Sequence, residues 1–123
     1  MAIAGMLLTF ALALLIGSGV DIAHAFILRA ELTAIADDAA LAGGAQLDLD
    51  AWREGQLALD PRLARAAAEA ALDGHPGVSG SVSADPGAVR VEVSGAFPTL
   101  ALRLVGIPRL DVTASAQATP ETP

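Results

Sequence analysis

Ile3-Ala4-Gly5-Met6-Leu7-Leu8-Thr9-Phe10-Ala11-Leu12-Ala13-Leu14-Leu15-Ile16 is close to continuously apolar, and the whole run from Ala2 to Val20 holds no charged residue. As a helix, such a run is about the length that crosses a hydrocarbon core of ~30 Å. Each large aliphatic residue or Phe contributes about −0.3 to −0.6 kcal/mol to insertion, whereas one Asp or Arg at the bilayer centre costs about 2.5 to 3.5 kcal/mol. Summed over Ile3, Leu7, Phe10, Leu14, Ile16, Val20 and their neighbours, the balance predicts insertion. The same balance places Asp21 at or beyond the interface. Residues 1–27 are therefore assigned to a membrane-spanning helix, with the uncharged run as the part that meets the hydrocarbon.

Two other readings compete for this segment. A buried helix of a soluble protein would need more chain than 123 residues to enclose so uniformly apolar a rod. A cleavable secretory signal has Ala23-His24-Ala25 in its favour, which has the small-x-small form read by signal peptidase. Against it, the apolar stretch exceeds an h-region of about 7 to 15 residues, and no Arg or Lys forms an n-region. An uncleaved anchor is expected; a small binding domain secreted after Ala25 is the alternative. Charge does not orient the segment, since the amine of Met1 lies on one side and Arg29 on the other.

What lies beyond the segment is one small domain, near the lower limit for an independent core. Hydrophobic residues make up 54% of the chain but aromatics only 3%, so the core must be built from small aliphatic groups. The chain contains no Cys, which excludes disulfides and thiolate chemistry. All 7 basic residues are Arg and the net charge is −7, a balance that repels phosphate backbones and argues against nucleic-acid binding.

No breaker occurs between Asp21 and Ala42, so the helix is expected to leave the membrane and run to Gly43-Gly44. Leu28, Leu32, Ile35, Ala39 and Ala42 recur at 4-3-4-3 spacing on one face, while Arg29, Thr33 and Asp37 lie on another. The apolar stripe predicts packing on the chain's own sheet, with a seam for other subunits as the functional alternative. Asp37 and Asp38, with Glu31, read as a solvated helix face and not as a metal site.

Farther along, a short helical turn is expected around Trp52, capped by Asp48 or Asp50 and stopped by Gly55, with Trp52 as a packing anchor. Asp60 and Pro61 then begin a helix over 61–73, whose apolar face is expected at Leu63, Ala66 or Ala67, Ala70 and Ala71. The period next changes to two. Alternation predicts strands near 78–84, 88–95 and 109–118, a turn at Asp85-Pro86-Gly87, and a connector from Phe97 to Pro108 with a helical turn at Leu100–Leu104. Residues 119–123 are expected to be a disordered tail. The fold class is α+β: a long N-terminal membrane-spanning helix extending into a small domain, residues 28–118, in which helices over 28–42 and 61–73 pack on a three-stranded antiparallel sheet.

The chemical inventory is thin. His24 stands just beyond the spanning run and His75 in a turn. No Gly-rich phosphate loop, His-x-x-x-His pair or Gly-x-Ser-x-Gly elbow occurs. No catalytic, cofactor-binding or metal-binding residues and no small-molecule substrate are expected.

Val20-Asp21 followed by Arg29-Ala30-Glu31-Leu32-Thr33-Ala34-Ile35-Ala36-Asp37-Asp38-Ala39-Ala40-Leu41-Ala42-Gly43 resembles the TadE/TadG-like proteins of Tad (tight adherence) pilus systems. In that family an apolar anchor ends in Asp and is followed by Arg, Leu, often Gln, and an Ala-Asp-Ala-Ala-Leu-Ala run. The motif positions kept here are Asp21, Arg29, Leu32, Asp37 and Leu41, with Ala36, Ala39, Ala40 and Ala42. Thr33 stands where Gln is usual and Asp38 where Ala is usual. Gly5 stands where pilin-like members carry Glu. Leu59-Asp60-Pro61 and Leu110–Ala116 extend the resemblance more weakly. It implies a non-enzymatic protein of the bacterial cell membrane, single-pass, with its domain outside the cytoplasm. Its implied partners are the lipid bilayer and other pilus or secretion-system membrane subunits, which it would serve as a minor pilin-like subunit or an assembly factor.

Overall fold

A computed structural model describes residues 2–121. Met1, at the head of the expected spanning segment, and Thr122 and Pro123, in the expected disordered tail, lie outside the described residues. Ala2–Gly44 forms one unbroken α-helix, α1, of 43 residues. No Pro interrupts it, and at ~1.5 Å per residue it spans about 64 Å. Residues 2–16 are exposed apart from half-buried Leu14, with Ile3 75% and Ile16 70% exposed. Its second half is the spine of the domain, where Leu32, Ala36, Ala39 and Ala40 are buried and Leu28 and Ile35 pack against them.

The expected stripe is thus present, and Ala36 and Ala40 widen it. Gly43 lies at its end, but not as a left-handed stop, because its φ is not positive. A Cβ there would come within 2.9 Å of the Ala64 carbonyl oxygen and 3.0 Å of Val89 Cγ2. The glycine is needed for the close approach of neighbouring elements.

Two short helices follow. In α2 (Leu49–Arg53) the Asp48 side chain caps the N–H groups of Asp50 and Ala51. In α3 (Pro61–Asp73) Asp60 caps Arg62 and Leu63, and Pro61 takes the first turn, where its missing N–H costs nothing. The inward face of α3 is Ala64 and Ala68, with Ala71 and Leu72, one residue out of phase with the expected set; Leu63 is 44% exposed. Alanine on nearly every side carries little phase information, and the small residues are the ones that fit against Gly43. Trp52 is likewise not a packing anchor, being 42% exposed on the short helix.

β1 (Ser79–Asp85), β2 (Ala88–Pro98) and β3 (Arg109–Ala118) form an antiparallel meander in the order β1-β2-β3. The Asp85 carboxylate accepts from the N–H groups of Gly87 and Ala88 at 2.7 and 2.9 Å, which locks the expected hairpin turn. The register sets Val82 opposite Val91 opposite Ala116, and Gly80 opposite Val93 opposite Ala114. All these side chains therefore share one face. That face is covered by α1, lying over β2 and β3, and by α3, lying over β1. Arg90, Glu92, Ser115 and Gln117 occupy the opposite, solvated face, where Arg90 Nη2 donates to Gln117 Oε1 at 3.2 Å. Val89, Val91, Val93, Leu32 and Leu59 are the largest apolar side chains with essentially no exposure, so the core is thin and aliphatic, as the composition demands.

Candidate functional site

The junction between the projecting and packed halves of α1 is built from two groups that are far apart in sequence. From α1 comes Asp21, the first charged residue after the apolar run, fully buried. From the connector between β2 and β3 come three successive backbone donors. Leu100 N donates to one carboxylate oxygen of Asp21 at 2.6 Å, while Ala101 N and Leu102 N donate to the other at 2.9 and 3.1 Å. Asp21 thereby caps, across the fold, the 3-10 turn Leu102–Val105.

The connector closes on itself around that contact. Thr99 N donates to the Pro108 carbonyl at 3.1 Å, Thr99 Oγ1 donates to the Ile107 carbonyl at 2.5 Å, and Arg103 Nε donates to the Thr99 carbonyl at 2.8 Å. One turn earlier in α1, Gly17 lets the connector sit directly on the helix, since a Cβ there would be 2.5 Å from the Cβ of Ala101. On the other side, the His24 ring meets Phe97 edge-on, with centroids 5.8 Å apart.

With both oxygens taken by backbone donors, Asp21 is a clamp that fastens the connector to α1. The uncharged run ends where that clamp is needed.

Of the other motif positions, Leu32 is in the core, whereas Arg29 and Asp37 are exposed and Leu41 is 65% exposed. Arg29, Thr33 and Asp37 share an open groove with Phe26 on the outer side of α1. A second shallow groove, between α1 and β3, is lined by Ile22, Phe26, Leu110 and Val112. Among the described residues no group of three His, Cys, Asp or Glu side chains is close enough together to hold a metal ion.

The sequence placed Asp21 at a boundary without finding its partners, because backbone N–H groups 79 to 81 residues away leave no mark in residue type. The only signal was a short apolar turn framed by Pro98 and Pro108. No protein-family model, curated protein or solved structure matches the chain.

Proposed function

We propose that this chain is a membrane-anchored, non-enzymatic component of a Tad-type pilus assembly system, either minor pilin-like or an assembly factor, with its domain outside the cytoplasm. One observation carries the anchored part of the reading. The helix whose residues 2–13 expose their apolar side chains is also the spine of the folded domain, so the anchor and the domain are one element. The pilus assignment is supported by the resemblance around Asp21, Arg29, Leu32, Asp37 and Leu41. Leu32 serves the core and Asp21 the clamp, which leaves Arg29, Asp37 and Leu41 facing outward on α1, free to meet another membrane subunit.

The alternative, a binding domain released after Ala25, is disfavoured by the same junction. Cleavage there would remove Gly17 and Asp21 and leave the N–H groups of Leu100, Ala101 and Leu102 without their acceptor.

Photo-crosslinkers at Arg29, Asp37 and Leu41 in native membranes, combined with deletion of the chain, test the pilus reading. Adducts with other subunits of a secretion platform and a loss of surface fibres on deletion are expected. Unchanged fibres with no adduct to another membrane protein overturn it.

A further inference from the structure

The connector from Thr99 to Pro108 is polar inside and apolar outside. Leu100, Leu104 and Val105 are 63 to 65% exposed and Ile107 is 41% exposed, four large apolar side chains within eight residues. Seven of its backbone N–H groups, in contrast, find acceptors within the protein. Leu100, Ala101 and Leu102 donate to Asp21. Thr99 donates to Pro108, Leu104 to Ala101, Gly106 to Arg103, and Ile107 to Leu102. Sealed backbone donors beneath outward apolar side chains are what a bilayer, and not water, requires of a non-helical segment.

Position points the same way. Leu104, Leu100 and Ala101 share a groove with Phe10, Ala13 and Leu14 of the projecting half of α1. Leu14 precedes Asp21 by two helical turns, about 10 Å at ~1.5 Å per residue, which is comparable to the roughly 5 to 10 Å reached by interfacial elements. A bilayer that surrounds α1 at the level of Phe10 and Leu14 also surrounds the tip of the connector. Arg103, inside the segment with its Nε held by the Thr99 carbonyl, and Arg109, just after it, are both exposed and available to headgroup phosphates.

We propose that the connector is a second membrane contact, a foot that inserts Leu100, Leu104, Val105 and Ile107 among the acyl chains of the leaflet next to the domain. Three of its backbone N–H groups are closed off by Asp21. The inference rests on the anchor reading above.

The chain has no Cys, so single-cysteine labels with an environment-sensitive fluorophore at Leu104→Cys, Leu8→Cys and Ser81→Cys test it. The full chain is placed in vesicles of phosphatidylethanolamine and phosphatidylglycerol. Nitroxide on the acyl chains reports contact with lipid, and iodide reports contact with water. The Leu104 and Leu8 labels are expected to shift to the blue and lose most of their emission to the lipid nitroxide, with the Ser81 label quenched by iodide alone. A Leu104 label quenched by iodide, or reached by neither quencher because protein covers it, overturns the foot while a lipid-exposed Leu8 label leaves the anchor standing. A Leu8 label in water breaks the anchor reading, and the foot with it. Leu104→Glu with Val105→Glu alters only exposed positions, so the domain should still fold. An Ile107→Cys label in that background is expected to move from lipid into iodide-accessible water; its staying in lipid overturns the role given to the apolar tip.

Discussion

Asp21 gives three N–H donors two acceptor oxygens, and no other side chain of its length repeats that arrangement. Asparagine offers one acceptor and turns an NH2 group toward donors that already compete for space. Asp21→Asn is therefore expected to lower the melting temperature about as much as Asp21→Ala, measured on the full chain in detergent. Val91, with no exposure, faces α1, while Glu92 beside it faces solvent. Val91→Asp should cost about 3 kcal/mol or more in a denaturant titration, and Glu92→Lys should stay within about 0.5 kcal/mol. These two residues differ in how legible they are. A valine in an alternating run announces its direction from sequence, whereas a carboxylate that binds backbone groups has partners without a residue-type signature.

Elements were legible where a local rule acted alone. The Asp60-Pro61 start of α3, the Asp85 turn and the period-two strands all follow from chemistry within a few residues, and each is present. The α3 face was not legible, because a run such as Ala66-Ala67-Ala68 looks alike from every side; the contact with Gly43 of α1 chooses the phase. The connector was legible as a helical turn but not as a part of the junction, since what fastens it lies in another element. For α1 itself the two uses of its surface can be separated. Leu32→Ala leaves a cavity in the core and should cost about 2 to 5 kcal/mol, whereas Leu41→Ala, at an exposed site, should leave the domain's stability within about 0.5 kcal/mol. If α1 meets another subunit through its outer face, Leu41→Ala should instead weaken crosslinking in membranes. A stability loss of equal size from both variants would contradict the assigned faces.

For the whole molecule, anchor and domain stand or fall together. The intact mass of the protein from native membranes is expected to be that of the uncleaved chain, extracted by detergent and not by high salt. A soluble species beginning at Phe26 would make the secreted binding domain the better reading. If the chain stays whole, the unbroken α1 makes it a lever with its fulcrum at the bilayer surface. From Asp21 to Gly44 the arm is roughly 35 Å long at ~1.5 Å per residue, so a spanning-helix tilt of about 20° carries its far end some 12 Å sideways. Because tilt answers to the thickness of the surrounding lipid, such a swing would give the loops around Asp48 and Asp60 a position set by local membrane thickness.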